Sequence, residues 1–294
     1  MRTLIIPLLA LAAGNFAAAA DDFLGARPLG MAGAHRAIVT SNDAIMLNPA
    51  GMSLFRHYSL ELQYLFSPDM GSPEGPDQHV AHISVVDNQI QYFATGLAYT
   101  RVQRGDEKTG NRYDLAFSVP VTEGLFLGAD IKYLDFERSP RADLSAVSVD
   151  AGLLLQTAVG LNFGVVGYNL TNTGDYLEHP ISMAAAVMYS PFRTLELSFD
   201  WSINFQKPAD PARPTGERGK GYGYAFGVEY LLLGMFTLRA GYMLDDFTPG
   251  DRRQYWSVGA GYVSTTFAFD FGYRGSVKDT SYDNQFGFGM RLFL

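Results

Sequence analysis

His79 and His82 are the residues whose spacing first invites a chemical reading, because Asp77 and Ser84 stand within two positions of them. A histidine paired with a serine and oriented by a carboxylate would suit a hydrolase. The same histidines with a carboxylate would begin a metal site. Both readings meet one obstacle: if this segment is a strand, alternate side chains leave on opposite faces, so His79 and His82 are parted and a metal lacks its third ligand. The other histidines, His35, His57 and His179, are scattered. The loop GERGKG, residues 216–221, lacks the Ser or Thr after Lys that a phosphate loop needs. These residues imply no enzyme, no cofactor and no metal.

The chemistry-bearing residues that do recur are charges at every second position. In TLELSFDWSINF, Thr194 to Phe205, the odd positions are Leu, Leu, Phe, Trp, Ile and Phe, while Glu196 and Asp200 fall among the even ones. A helix would scatter those carboxylates around its circumference; a strand places them on one wet face opposite an apolar one. The pattern returns in GYGYAFGVEYLL, MFTLRAGYML and TTFAFDFGYR. Counting such segments gives fourteen strands, near 57–66, 78–86, 90–101, 111–119, 124–136, 143–155, 159–169, 181–190, 194–205, 220–232, 235–245, 254–263, 265–275 and 282–294. Short connections at 87–89, 120–123, 156–158, 190–193, 233–234 and 264 alternate with longer polar ones, among them SPDMGSPEGPD, VQRGDEKTG and QKPADPARPTGERGK.

Faces this rich in Phe, Tyr and Leu, with alternate loops long, predict an all-β fold: a 14-stranded antiparallel transmembrane β-barrel. A soluble sandwich or propeller would carry polar outer faces. Tyrosines near strand ends (Tyr58, Tyr64, Tyr113, Tyr189, Tyr230, Tyr262, Tyr273, Tyr282) suit interfacial girdles. Residues 1–20 read as a signal peptide, with an apolar run from Leu4 to Ala13 and small residues before Asp21. Loss of Arg2 leaves 21 basic and 30 acidic residues, which argues against nucleic acid. Export without a single cysteine suits a Gram-negative outer membrane, with both termini periplasmic. The expected domains are 1–20, a hatch or plug over 21–56, and the barrel over 57–294.

A barrel of fourteen strands is wide enough to leak unless something fills its lumen. The run GARPLGMAGAHRAIVTSNDAIMLNPAGMS lacks strand alternation and is rich in Gly and Ala, which suits a filler. Asp43 is placed to cap a short helix through Leu47, and Pro49 forces Asn48 out of helical geometry. With Leu29 to Ala34, Asn42-Asp43-Ala44 and Asn48-Pro49-Ala50-Gly51 ahead of a barrel, the chain resembles the FadL-type outer-membrane transporters of long-chain fatty acids and hydrocarbons. It is also similar to the related PorV and PorQ proteins of a secretion system. The resemblance implies an N-terminal lumenal hatch, with Asn42, Asp43, Asn48, Pro49, Ala50 and Gly51 as gate, and passive transport of small hydrophobic compounds. The PorV and PorQ likeness implies instead a shuttle or scaffold holding a secreted protein partner. The end GFGMRLFL, Gly287 to Leu294, resembles the signal read by the barrel assembly machinery.

Apolar hatch residues Phe23, Leu24, Ile45, Met46 and Leu47 would line a ligand pocket. Parity turns a charge network inward: Asp130, Lys132, Glu196, Asp200, Glu229, Arg239, Asp270, Arg274 and Arg291, with Glu61, Asp114 and Asp150. Such mixed signs pair with each other and anchor the hatch more readily than they select an ion. Gly223, Gly227, Gly241, Gly259, Gly261, Gly272, Gly287 and Gly289 share the inward face of strands ten to fourteen. The hatch, including the segment around Asn48, is therefore expected against that sector. The outer partner of the barrel is outer-membrane lipid.

Overall fold

The computed structural model describes residues 25–68, 77–89, 92–139, 141–176, 178–207, 219–247, 252–277 and 284–294. The signal peptide, Phe23, Leu24, Tyr282 and much of the longer loops lie outside the described residues. Three short elements come first: α1 (Ala26–Gly30), α2 (Ala44–Leu47) and a 3-10 turn (Pro49–Ser53). Fourteen strands follow: β1 (Tyr58–Ser67), β2 (Gln78–Asp87), β3 (Ala94–Arg104), β4 (Lys108–Thr122), β5 (Leu125–Arg138), β6 (Leu144–Gln156) and β7 (Leu161–Tyr168), then β8 (Ser182–Phe192), β9 (Leu195–Lys207), β10 (Gly219–Leu232), β11 (Phe236–Asp245), β12 (Arg253–Val263), β13 (Phe267–Ser276) and β14 (Gln285–Phe293).

Each strand pairs antiparallel with its sequence neighbours, and β1 closes on β14 from Ser59 opposite Phe293 to Phe66 opposite Phe286. Closure satisfies every strand's backbone without an edge, the condition for crossing hydrocarbon. Side-chain parity fixes which face is which. On β10, Gly221, Gly223, Ala225, Gly227 and Glu229 point inward and are buried, while Tyr222, Tyr224, Phe226, Val228 and Tyr230 are exposed. Around the barrel the outward face is similarly apolar: Leu97 is 60 % exposed and Phe288 52 %. A belt of that extent exceeds what a water-facing surface carries, so its surroundings are lipid. No helix among the described residues is long and apolar enough to span a membrane; the strands cross it.

The structure departs from the sequence reading at the loop ends. VQRGDEKTG is mostly strand, with only Gly105-Asp106-Glu107 joining β3 to β4. Val102 lies opposite Gly110 across this hairpin, and both are buried. Gly110 faces the Phe136 ring so closely that a Cβ there would overlap it. Beyond the lipid belt outward residues such as Gln103 and Thr109 need not be apolar, so the strand reads as loop. At β7 the wall is lower: only Ala151 to Gln156 of β6 pair with it. Above that point β6 is met by the β7–β8 loop, where Leu170 N donates to Val149 O at 2.9 Å and Asn169 N to Asp150 Oδ1 at 2.7 Å.

Residues 25–53 lie inside the barrel, touching inward faces on opposite sides of it. At Gly128 on β5 the segment's backbone comes close: a Cβ there would overlap Ala50 N and Pro49 C. Gly219, at the loop end of β10, has nothing within 4 Å of the same position. Gly128→Val is therefore expected to lower stability by about 1–3 kcal/mol, the usual cost of overpacking, and Gly219→Val to leave it unchanged. Thermal unfolding of the two variants in detergent checks this.

Candidate functional site

The lumenal segment docks in two halves on opposite walls. Its first half carries α1 on the glycine faces of β10 to β14. Gly30 sits against Gly259, with a Cβ on either meeting the other's Cα at 3.0 Å, and Met31 lies on Gly227 and Gly241. Ala26 and Leu29 lie on Gly272 and Gly287. Ser257 Oγ donates to Gly30 O at 3.1 Å. Bare backbone on the wall lets the helix backbone come this close.

The second half corrects the expectation for Asn48: it packs on β3 to β7, not on the β10–β14 sector. Gly96 receives Ile45 and Met52, Gly152 receives Asn48, and Gly164 receives Arg36 O. These are single glycines per strand, a weaker signal than the eight on the other wall. Asn48 is fully buried and works on three sides: its Nδ2 donates to Arg36 O at 3.0 Å and Leu153 O at 3.2 Å, and its Oδ1 accepts from Ala50 N at 3.3 Å. Its backbone is extended (φ −162°), ending α2, and Pro49 opens the 3-10 turn. Ala50 O accepts from Ser118 Oγ at 3.1 Å. Gly51 packs against Val39, where a Cβ would come within 2.9 Å of Val39 O.

Asn42 joins the segment to β1 and β2. Its N donates to Glu61 Oε2 at 2.9 Å, its Nδ2 to Ser84 O at 3.1 Å, and its Oδ1 accepts from Ser59 Oγ at 2.6 Å. Asp43 precedes α2 but its carboxylate makes no helix cap; it accepts instead from Ser41 Oγ at 2.6 Å and Gln63 Nε2 at 2.7 Å. Gln63 Oε1 in turn accepts from Ala26 N at 2.7 Å. One wall residue thus ties the start of the segment to its middle.

The inward charges resolve into paired groups rather than a single ring. Glu229 binds Arg27 of the segment (2.7 Å) and Arg239; Arg239 reaches Asp270 (2.8 Å), Asp270 reaches Arg291 (3.6 Å), and Arg291 reaches Glu61 (3.1 Å). Glu196 lies 3.6 Å from Arg27. Further along β9 Asp200 pairs with Arg36 at 3.0 Å and accepts from the Arg36 and His35 backbone N–H groups. Arg36 Nε donates to Tyr168 Oη at 2.7 Å, and Tyr168 Oη donates to Leu47 O. Lys132 pairs with Asp150 at 2.7 Å. Arg112 pairs with Asp114 at 2.7 Å and stands 3.9 Å from Asp130. Arg274 lies over the Tyr255 ring, 4.7 Å from its centre.

Arg27 and Arg36 were not singled out from sequence, although a signal was present. Glu196, Asp200 and Glu229 face inward from β9 and β10, and among the described residues no Lys or Arg shares the inward face of either strand. Buried carboxylates need partners; Arg239 of β11 reaches Glu229, and the segment supplies Arg27 and Arg36.

Ile45, Met46 and Leu47 do not line an open pocket. They are at most 4 % exposed and belong to one contiguous apolar cluster. It reaches from Phe136 and Leu144 at the loop end of the barrel to Val86 and Ala94 near the turn end. Two lumenal cavities among the described residues lie elsewhere: about 80 Å³ beside Gly33, Arg36 and Asp200, and about 160 Å³ beside Arg27, Glu229 and Asp270. His79 and His82 are parted: His79 meets Tyr64 Oη outside at 2.6 Å, and His82 meets Thr100 inside at 2.8 Å.

At the loop end the β7–β8 loop is clasped across the mouth. Arg138 pairs with Asp175, Arg141 with Glu178 (2.9 Å), Lys108 with Glu178 (2.9 Å), and Phe136 stacks on His179 at 5.7 Å. Asp175, Glu178 and His179 are close enough to share a cation, but these three basic side chains already engage the carboxylates. Burial works to raise the Asp175 carboxyl, yet His179 and Arg138 outweigh it and hold it well below the usual carboxylate range.

No protein-family model matches this chain, and no curated protein matches it in sequence. Solved structures do match in fold. The CymD monoaromatic hydrocarbon channel superposes with a TM-score of 0.68 at 14 % identity, over 92 % of this chain and 97 % of that one. The toluene transporter TbuX of Ralstonia pickettii gives 0.68 at 14 %, over 92 % and 98 %. A FadL homologue of Pseudomonas aeruginosa gives 0.65 at 13 %, over 91 % and 98 %. The fold is the FadL-type barrel. At such low identity, the FadL-type likeness is one of strand number, order and closure.

Two outcomes follow from these contacts. Asn48→Ala leaves Arg36 O, Leu153 O and Ala50 N without their partner, at a cost of about 1–3 kcal/mol, which loosens the segment by roughly tenfold in population. Planar-bilayer recordings are expected to show correspondingly more frequent ion leakage than the parent. Because Asp175 titrates below its unfolded value, the stability it lends is complete above the ordinary carboxylate pKa and is lost only as pH falls through the depressed one. Proteolysis of the β7–β8 loop is therefore expected to be equal at pH 7 and pH 5 in the parent, and faster at both in Asp175→Asn.

Proposed function

We propose that this protein is an outer-membrane channel for the passive entry of small hydrophobic compounds, gated by its N-terminal segment. The observation that carries the reading is the apolar cluster, which extends along one side of the lumen and includes Ile45, Met46, Leu47 and Met52 of the segment. Displacement of those side chains would leave an apolar route beside a wall of paired charges. Methionines suit loosely shaped ligands, which favours a class of compounds over one molecule. The likeness to hydrocarbon and toluene channels supports the same class, and long-chain fatty acids are a narrower form of it. In this reading both termini face the periplasm, Asn42 to Gly51 form the gate, and β14 carries the signal for the assembly machinery.

A second reading, a scaffold that holds a secreted protein, is favoured by a different observation. The wall is hydrogen-bonded through all fourteen strand pairs, and a polar groove of about 510 Å³ lies at the loop end beside Lys108, Glu137, Arg138 and Asp143.

The absence of native cysteine allows a direct test. A Cβ on Gly289 would lie 3.4 Å from the Ala26 Cβ, with no closer neighbour, near the spacing a disulfide requires. Cells carrying Ala26→Cys with Gly289→Cys are expected to take up labelled toluene and labelled oleate when reduced and to lose that uptake when oxidised. Equal uptake in both states would remove the gate from the account. Uptake no higher than in cells lacking the protein, in either state and in the parent, would favour the scaffold.

A further inference from the structure

The wall formed by β12, β13, β14, β1 and β2 carries a bare strip on the inner face of its first three strands. Gly259, Gly261, Gly272, Gly287 and Gly289 line it, and α1 rests directly on the backbone. The outer face of the same wall is not a smooth lipid belt. Ala81 and Ala260 are small positions among large aromatic ones, and a groove of about 890 Å³ opens there, lined by Tyr64, Tyr99, Phe271 and Phe288. Since this face meets hydrocarbon, what enters the groove is an acyl chain.

The loop end of the groove is charged. Arg101 lies opposite Ala81 in the β2–β3 register and two residues beyond Tyr99 on the same face, about 7 Å further toward the loops. It is exposed, and is steadied by Asn111 Oδ1 at 3.1 Å and Thr109 Oγ1 at 3.0 Å. Two of its five N–H donors are thus committed, and the guanidinium stays free to meet an anion. Beside it Tyr64 Oη and His79 Nδ1 are bonded at 2.6 Å, a second polar pair on the same rim. Outward positions of β1, β12, β13 and β14 along this wall carry no charge; Arg101 is where an anionic head would find one. A guanidinium matches the oxygens of a phosphate in a way a neutral rim cannot.

We propose that this groove holds one phosphate-bearing lipid of net negative charge, its acyl chain along Tyr64, Ala81 and Phe288 and its anionic head at Arg101. The site is on the opposite side of the wall from α1 and is independent of what crosses the lumen. A lipid seated there would lie against the outside of the wall on which α1 rests.

Delipidated protein, incubated in mild detergent with phosphatidylglycerol or phosphatidylcholine of matched chains, would be weighed by native mass spectrometry. One phosphatidylglycerol per chain is expected, preferred about tenfold over phosphatidylcholine, as one charge-assisted contact would give. Arg101→Gln is expected to remove the preference but keep weak binding of both lipids. Ala81→Trp, which fills the groove, is expected to abolish both, with Ala81→Leu as a milder version should the first not fold. Equal affinity for the two lipids in the parent, or adducts untouched by both Ala81 variants, would overturn the proposal. So would a two-chain mass that Ala81→Trp abolishes, since the groove would then be an interface between copies.

Discussion

Carboxylates on the lumen wall that cannot be left unpaired are the constraint around which the interior is arranged. Among the described residues, Glu196, Asp200 and Glu229 sit on strands with no inward cation of their own; Asp200 and Glu229 are buried and Glu196 partly so. An uncompensated buried charge costs several kcal/mol. Arg27 and Arg36 of the N-terminal segment meet that cost, with Arg239 of β11 as a second partner of Glu229. The segment is therefore held in place chiefly by the need of the wall, and the glycines are what let its backbone come near enough to answer it.

The two modes of attachment differ in what disrupts them. Backbone-on-glycine contact is a matter of close packing, and loses its dispersion energy within a fraction of an ångström of separation. The polar seams through Asn42, Asn48, Arg27 and Arg36 are directional, and any displacement must re-pair or hydrate each group. Between them lies the apolar cluster around Ile45 and Met46, whose only requirement is to stay dry. A hydrophobic solute is the one class of molecule that can replace those side chains without leaving polar atoms bare. It can shift the segment only by as much as it binds the displaced state better.

Most of the barrel was legible because lipid imposes period two on every strand that crosses it. Legibility failed where that pressure ends. β3 and β4 rise above the lipid at Gln103 and Thr109, so polar residues on both faces disguised a hairpin as a loop. The lumenal segment has no period, so its contacts depend on which wall offers space. The eight glycines of β10 to β14 marked the seat of α1, whereas the seat of Asn48 is marked by Gly128 and Gly152, one to a strand. Asp43 looked like a cap because its neighbours are helical; Gln63, twenty residues away, claims its carboxylate instead. Ile45 to Leu47 looked like a pocket because they are apolar, and they close a core because β1 to β6 supply Leu65, Val80 and Leu134 to meet them.

The central claim is that the segment is a separately held unit that moves within a rigid wall. Amide hydrogen exchange, followed by mass spectrometry on the parent protein in bilayers with and without toluene, tests it most directly. The account predicts that peptides covering Asn42 to Ser53 exchange faster than those of β5 and β12, and that toluene accelerates the first without changing the others. Exchange over Asn42 to Ser53 as slow as in those strands, and indifferent to toluene, would contradict it.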